Sequence, residues 1–394
     1  MQNILIISNY YPPEKGAAAN RIEQLALQLR DNNYHVSVIC PLGNYPKGEL
    51  FAEYKGKFTV TENLKNIILK RLWIYPSVSK NVFIRLMSVL SFSTSLFFYL
   101  LFAKIPKKVV VQSPPLLLSF VSVLILLLKR KKIILNVSDL WPLAAIELNA
   151  IKKNTLSHRV SLFMEAFIYS KSSLILCQSN EIISHIKTIC VDKKAYLYRN
   201  FPKHESQQFD LLTIENEPIK IFYAGLLGVA QGVLLLCENI SLNKLNIEIH
   251  IFGDGVESKQ IQELIKNKPN SKIYFHGMLE RQDLHQQIKK MDIAIVPLKT
   301  RIFGSVPSKI FEYGALGFPI LYFAGGEGGD IVQENSMGWV AEVGNFNELN
   351  ERFNEISKMD KNSFQLLKNN IFDNSKPAFN LDSQMKSLIN KNVF

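Results

Sequence analysis

The sequence predicts an α/β protein with two consecutive doubly wound domains that face a shared cleft. Its 394 residues are long for one hydrophobic core and sufficient for two domains. Apolar runs of strand length alternate with helical segments on both sides of the polar stretch 202–217, the predicted linker. Glycine turns follow several predicted strands, where open α/β sheets bind ligands. The domains are therefore placed at 1–205 and 206–372, and a final helix, 373–394, is expected to return to the first domain.

The first domain opens with an apolar strand at 2–9 and a turn that contains Gly16. Asn20 followed by Glu23 forms a capping box, which predicts that the next helix begins there. A strand at 34–40 completes a strand–helix–strand unit. The other predicted strands of this domain are 68–76, 107–115, 133–138, 173–179 and 195–201, and the other helices are 82–103, 116–128, 157–171 and 180–190.

The net charge of +12 comes from one region of the chain. Between Asn63 and Ser138 there is no Asp or Glu, so the two apolar helices, 82–103 and 116–128, have basic flanks and no acidic neighbours. This pattern predicts that 63–138 contacts an anionic membrane surface. The alternative is two buried core helices with solvated lysines. The twelve basic residues are Lys65, Lys70, Arg71, Lys80, Arg85, Lys104, Lys107, Lys108, Lys129, Arg130, Lys131 and Lys132.

Residues 86–103 are eighteen consecutive uncharged residues, which is the length of a membrane span. Five of them are Ser or Thr, and a strand-like segment follows directly, so a helix that covers the sheet is preferred. Whether that helix is interfacial or only part of the core stays open. Nucleic-acid binding is disfavoured, because the basic residues alternate with long aliphatic runs instead of lining a polar groove.

The second domain repeats the alternation of strands and helices, and one stretch in it is the main candidate for a ligand site. Ser305 is a predicted N-cap and Gly317 a stop signal for a short helix. Ser308 and Lys309 at its start suit a phosphate, and Glu312 on the same face suits ribose hydroxyls. The alternative is a surface helix with a solvated Lys–Glu pair. The predicted strands of this domain are 219–225, 247–255, 272–277, 292–298, 319–326 and 338–343.

Several short motifs follow one another in the second half: YAGLLGVAQG (223–232), FGDG (252–255), FHG (275–277), DIAIVPL (292–298), PSKIFEYGALGFP (307–319) and GGEGGD (325–330). Their order resembles the family-four retaining glycosyltransferases, which have the two-domain GT-B fold. The segments YYPPEKGAAANR and DLWP resemble the branch of WbuB-type fucosaminyl transferases in bacterial surface-polysaccharide assembly.

The resemblance implies a donor site in the second domain. Glu312 matches the glutamate that binds the donor ribose, and Lys309, the proposed catalytic cation, lies with Ser308 near the donor diphosphate. Glycines of the strand-end turns complete the implied site; the last two are expected to precede a helix that starts near Asp330. These glycines are Gly225, Gly232, Gly253, Gly328 and Gly329.

The sequence departs from the family pattern at three donor positions. Gly304 stands where many members have a glutamate, and Leu226 and Gln231 stand where cations are frequent. Lys309, with Arg301 as a possible second cation, must then supply the positive charge, or backbone N–H groups must hold the diphosphate. These differences leave the identity of the donor open.

The resemblance places the acceptor side in the first domain. Gly16, Asn20 and Arg21 are implied to form an acceptor-side loop. Asp139 follows a predicted strand, and its carboxylate is expected to activate or orient an acceptor hydroxyl. An equally weighted alternative is that Asp139 is the N-cap of the helix after Pro142.

The resemblance implies a retaining, metal-independent transferase without a cofactor. It would move a sugar from a nucleotide diphosphate donor, expected to be UDP-linked, to a polyprenyl-diphosphate-linked saccharide of O-antigen, capsule or exopolysaccharide synthesis. Four scattered cysteines and no visible secretory signal suit a cytoplasmic protein bound peripherally to the inner face of the plasma membrane. The alternatives are a sugar-nucleotide epimerase of the same fold and a non-catalytic membrane-associated scaffold.

Overall fold

The computed structural model describes residues 2–14, 16–45, 48–77, 79, 81–147, 150–202 and 217–394. The chain divides into two compact units, Met1–Asn200 with Asp382–Phe394, and Phe201–Leu381. Outside the described residues lie Lys80, the predicted domain boundary between 205 and 206, and most of the predicted linker 202–217.

The first unit is built around a mostly parallel sheet. Its strands are β1 (Gln2–Ile7), β2 (Tyr34–Pro41), β3 (Thr59–Leu64), β4 (Ile67–Leu72), β5 (Lys108–Ser113), β6 (Lys132–Val137), β7 (Leu174–Cys177) and β8 (Ala195–Leu197). Within the described residues they form one eight-stranded sheet in the order β3-β4-β2-β1-β5-β6-β7-β8. Only the β3–β4 pairing is antiparallel.

Helices cover both faces of this sheet, as expected for a parallel sheet whose crossovers are helical. The central strands are therefore buried on both faces and read as continuous apolar runs. Val110 of β5, for example, is paired with Ile134 of β6, and both side chains are fully buried. The helices are α1 (Ala17–Asp31), α2 (Val82–Phe102), α3 (Leu116–Leu128), α4 (Leu143–Glu147), α5 (Leu156–Lys171) and α6 (Asn180–Ile189).

Two local features of the first unit differ from the prediction. Helix α1 begins at Ala17, with Gly16 at the N-cap, so Asn20 lies inside the helix and the predicted capping box is wrong. Three consecutive alanines extend the helix backwards, because alanine has the highest helix propensity. The hairpin of β3 and β4 was not predicted; Lys65 and Asn66 turn the chain with φ of 54° and 61°, which suits a type I′ turn.

The second unit is a parallel α/β sheet of its own. Its strands are β9 (Ile219–Ala224), β10 (Ile247–Phe252), β11 (Ile273–Gly277), β12 (Ile293–Pro297), β13 (Ile320–Phe323) and β14 (Gly338–Ala341). Their order is β11-β10-β9-β12-β13-β14. The helices are α7 (Val233–Asn239), α8 (Ser258–Asn267), α9 (Arg281–Ile288), α10 (Lys309–Ala315), α11 (Glu327–Glu334), α12 (Phe346–Ser357) and α13 (Lys361–Ala378).

The last helix, α14 (Leu381–Asn390), packs on the first unit. Gln28 of α1 donates a hydrogen bond of 2.8 Å to the Asp382 carboxylate, and Gln384 accepts one of 2.8 Å from the backbone N–H of Arg199. Helix α13 stays with the second unit, so the chain passes to the first unit near residue 381, later than the expected 373.

Candidate functional site

The turns after β9 and β10 touch each other through their backbones. The Gly225 N–H donates to the Phe252 carbonyl over 2.9 Å. A Cβ atom on Gly253 would lie 1.8 Å from the Gly225 carbonyl oxygen, and Gly253 has a φ of 145°. Only glycine fits there, because any side chain would push the two turns apart. Gly225 and Gly253, which the sequence suggested as donor contacts, thus have a packing role at the carboxyl edge of the sheet.

Lys309 places a cation beside these turns. Its Nζ donates to the carbonyl of Ala224, the last residue of β9, and to the Tyr313 hydroxyl over 3.2 Å. Nζ also lies 5.8 Å and 5.3 Å from the ring centroids of Tyr223 and Tyr313, within cation–π range. The ammonium is therefore fixed where β9 ends. Tyr313 was missed by sequence reasoning, although its position four residues after Lys309 put it on the same helix face.

Helix α10 begins later than predicted but ends where predicted. Ser305 is not its N-cap: the Ser305 N–H closes a turn on the Ile302 carbonyl over 3.1 Å, and the helix starts at Lys309 after Ser308. Ser308 accepts the Glu312 N–H through its carbonyl over 3.1 Å, while the Glu312 side chain is exposed. Gly317, with a φ of 78°, ends the helix as predicted. An exposed carboxylate thus lies one turn from the Lys309 ammonium.

The glycines after β13 have a different setting from the expected one. Helix α11 starts at Glu327 rather than near Asp330, with Gly326 at the N-cap. Gly328 and Gly329 therefore lie inside the first turn, where a Cβ on Gly328 would come 2.3 Å from the Tyr322 hydroxyl. They allow close packing of α11 on β13 and do not form a loop before it.

Arg301 brings a second cation to the same edge. Its Nε lies 2.5 Å from the position that a Cβ on Gly326 would take, so the guanidinium packs against the N-terminal turn of α11. Gly232 ends the loop that follows β9 and has a φ of 66°. A Cβ atom on Gly232 would lie 2.9 Å from the backbone nitrogen of Lys299. The neighbouring strands β10, β9, β12 and β13 thus carry glycine turns and two cations at one edge.

Asp139 follows β6 in the first unit, and burial raises the pKa of its carboxyl to about 6. The hydrogen bond from Ser138, over 3.3 Å to Oδ2, and the charge of Arg21 partly oppose this rise. Helix α4 begins at Leu143, and the Leu140 carbonyl accepts the Ala144 N–H over 2.7 Å. Asp139 precedes the capping position of α4, and its raised pKa makes it a candidate functional residue.

The predicted acceptor-side loop is only partly a loop. Gly16 caps α1, and Asn20 is an exposed residue of that helix. Arg21 is buried: Nη2 donates to Asn136 Oδ1 over 3.0 Å and to the Tyr198 carbonyl over 2.9 Å. Burial lowers the pKa of its guanidinium. Arg21 therefore ties α1 to the carboxyl ends of β6 and β8. It lies in that helix and not in a loop, and its acceptor-side role stays a prediction.

No group of three or more His, Cys, Asp or Glu side chains that could hold a metal ion is found among the described residues. The four cysteines are free thiols, as expected, and three of them are buried.

The architecture is that of GT-B glycosyltransferases. Sucrose-phosphate synthase from Thermosynechococcus elongatus superposes with a TM-score of 0.75 at 13% identity, over 100% of this chain and 99% of that one. HepE from Anabaena, solved with UDP and glucose, gives 0.67 at 12% identity, and the lipopolysaccharide outer core galactosyltransferase WaaB gives 0.64 at 15%; both matches cover 100% of both chains. These likenesses establish the fold.

Sequence comparisons relate part of the chain to the group 1 glycosyltransferases. Residues 205–371 match the family model "Glycosyl transferases group 1". "Probable glycosyltransferase WbjE" from Pseudomonas aeruginosa is 23% identical over 246 residues, which are 59% of this chain and 61% of WbjE. The match therefore spans about three-fifths of that relative's length. The matched family region contains the glycine turns, Lys309 and Glu312.

Proposed function

We propose that this protein is a retaining glycosyltransferase that moves a sugar from a nucleotide diphosphate donor, a UDP-sugar, to a polyprenyl-diphosphate-linked saccharide. The second unit binds the donor, and the first unit binds the acceptor. The fold likeness to WaaB, a lipopolysaccharide outer core galactosyltransferase, suggests a place in the synthesis of a bacterial surface polysaccharide. A WbuB-type branch, cytoplasmic location and independence of metal ions belong to the same proposal.

One observation carries it: Lys309 and Glu312 both lie in the first turn of α10, and the Lys309 ammonium lies beside the touching glycine turns of β9 and β10. An ammonium and backbone N–H groups suit a diphosphate, and an exposed carboxylate one turn away suits the two hydroxyls of a ribose.

The chemistry this arrangement supplies is electrostatic. Negative charge develops on the diphosphate as the bond to the sugar breaks, and a cation held in place stabilises that charge without reorganising. Lys309 exchanges the Ala224 carbonyl for a phosphate oxygen when the donor binds, which its flexible side chain permits, so the cation is in place before the sugar bond breaks. Asp139 adds a carboxyl that can take a proton from a hydroxyl. No protein nucleophile is required if the acceptor attacks from the face that the diphosphate leaves.

The test is calorimetric titration with UDP and GDP, followed by an assay with UDP-sugars and a polyprenyl-diphosphate saccharide. Glu312→Ala should weaken UDP binding by about 10–100-fold, since a hydrogen bond to a charged group contributes about 1.5–3 kcal/mol. Glu263→Ala is the matched control, because Glu263 is exposed on α8 in the same unit. Equal affinities of the two variants would reject the role of Glu312.

The same assay separates the alternatives. An epimerase would interconvert UDP-sugars without any acceptor, and a scaffold would bind no nucleotide. Retention would be read from the anomeric configuration of the product by NMR. Activity that survives EDTA treatment is expected, and loss that Mg²⁺ or Mn²⁺ restores would contradict the metal-independent mechanism.

A further inference from the structure

Helices α2, α3 and α5 lie side by side on the first unit. Helix α3 contacts α2 on one side and α5 on the other, where the Phe120 ring centroid lies 5.0 Å from that of Phe167. The outward side chains of these three helices, here called the apolar layer, include fourteen of the twenty-six large exposed apolar residues among the described ones. They are Phe83, Ile84, Leu86, Met87, Leu90, Phe98, Leu101, Phe102, Leu124, Leu128, Leu156, Val160, Leu162 and Phe163.

Helix α2 is the centre of the apolar layer. The stretch Phe83–Phe102 is long and apolar enough to cross a bilayer, yet only 22% of its most apolar window is buried in the protein. Its inner stripe, Ser88, Phe92, Leu96 and Leu100, has a spacing of four residues and is buried throughout. The helix therefore lies along the unit over several turns. This geometry suits a helix in the plane of a membrane surface and not one that leaves the protein to span it.

The charge around the apolar layer favours an anionic lipid surface as its partner. Helices α2 and α3 contain no Asp or Glu, and the one carboxylate of α5, Glu165, is buried and lies 2.9 Å from His185 Nε2. Exposed cations lie on or next to the three helices: Arg85, Lys104, Arg130 and Arg159. A protein partner needs no such one-sided charge, whereas an anionic lipid surface attracts it.

The structure also revises which basic residues serve this surface. Of the twelve cations in 63–138, Arg71 is buried and paired with Glu62. Lys129 donates to the Ala103 carbonyl over 2.8 Å, and Lys131 donates to the Ile105 carbonyl over 2.6 Å. These lysines join the end of α3 to the residues after α2. Conversely, Leu156 and Arg159 of α5 lie outside 63–138 and extend the surface beyond that stretch.

We infer that the apolar layer docks in plane on an anionic lipid surface, with α2, α3 and α5 inserted among the headgroups and Arg85, Lys104, Arg130 and Arg159 contacting lipid phosphates. This inference does not depend on the proposed transfer reaction. The α5 contribution distinguishes it from a patch confined to 63–138.

Flotation with vesicles tests it. Full-length protein should float with vesicles of 30% phosphatidylglycerol in phosphatidylcholine and float less with phosphatidylcholine alone. Replacing the highly exposed Phe83, Phe102, Leu128 and Leu156 with Ser should lower the partition coefficient at least about tenfold. The matched control replaces Val191 and Leu366, which are 76% and 61% exposed outside the layer. Circular dichroism verifies that each variant is folded.

The remaining measurements distinguish an anionic lipid surface from a membrane span and from a second copy of the chain. Replacing Arg85, Lys104, Arg130 and Arg159 with Gln should remove the preference for phosphatidylglycerol. Wild-type protein that stays with the membrane after carbonate extraction at pH 11 would show a span and overturn the inference. Sedimentation velocity tests whether a second copy of the chain covers the apolar layer. A dimer that the four Ser substitutions dissociate, in a protein that does not bind vesicles, would also overturn the inference. Equal loss in the Val191 and Leu366 control would also count against it.

Discussion

Asp139→Asn should stabilise the protein above neutral pH, although Asp139 is a candidate catalytic residue. Burial raises the pKa of the Asp139 carboxyl to about 6, against 3.8 for an ordinary aspartate. A folded-state pKa above the unfolded value favours the folded state at low pH, and that advantage disappears as the pH rises through about 6. The ionised carboxylate therefore lowers the stability of the folded protein at pH 8, and the neutral amide of Asn removes this free-energy cost.

The size of the effect follows from the two pKa values. One tenfold change in proton affinity corresponds to about 1.4 kcal/mol, so the difference between 3.8 and about 6 corresponds to about 3 kcal/mol at most. The gain from Asp139→Asn should be small at pH 4, grow between pH 4 and 6, and level off above pH 7. Transfer activity should fall in the same variant, because an amide cannot take the proton of an acceptor hydroxyl.

Differential scanning calorimetry at pH 4.5, 6 and 8 measures the stability part. The transition of the first unit should move to higher temperature in Asp139→Asn, and the shift should widen with pH. Asp360→Asn is the control, because the pKa of the exposed Asp360 carboxyl is lowered by its hydrogen bonds with Ser363 and the sign is reversed. A shift for Asp139→Asn that is equal at the three pH values, or a destabilisation at pH 8, would refute the reasoning.

Three further substitutions have defined outcomes. Lys309→Met should weaken UDP binding by about 10–100-fold in calorimetry, with Lys266→Met of α8 as control, since a charge-assisted bond to phosphate is lost. Gly253→Ala should destabilise the second unit in urea unfolding, because its Cβ would lie 1.8 Å from the Gly225 oxygen; unchanged unfolding would mean that the turns separate freely. Arg71→Met should destabilise the first unit by about 3 kcal/mol, the low end for a broken buried pair, because Glu62 keeps 34% side-chain exposure. A loss below about 0.5 kcal/mol would show that the pair is dispensable, as exposed pairs often are.

The regular elements of this protein follow closely from the sequence. The helix at 116–128 was predicted with the bounds of α3, and the predicted strand at 247–255 contains β10. The first is a nearly continuous apolar run, and the second alternates apolar residues with Glu248 and His250 before a glycine turn. Patterns of this kind leave few structural alternatives. Element starts that depend on capping were less predictable. Ser305, Asn20 and Asp330 all had the chemistry of a helix start, but α10, α1 and α11 begin at other residues.

At the candidate site, too, the sequence indicated some features and only the structure showed others. The sequence brought attention to Lys309, Glu312 and the glycines through their residue types and spacing. It could not show that the Lys309 ammonium reaches the Ala224 carbonyl, 85 positions away in the chain, or that the buried Arg21 binds at the carboxyl ends of β6 and β8. Long side chains reach partners that only the packing of separate strands brings near.

The sequence by itself determined the two-unit α/β architecture, the acid-free stretch 63–138 and the residues that suit a nucleotide diphosphate. Tertiary structure decided which glycines serve close packing, which cations are already bound to carbonyls, and which apolar helix faces remain uncovered. The physical reason is that periodicity and composition act along the chain, whereas burial and charge pairing depend on neighbours from distant strands. Helix α2 illustrates this, since its composition suits a core, a span or an interface, and only its exposed side in the folded unit favours the interface.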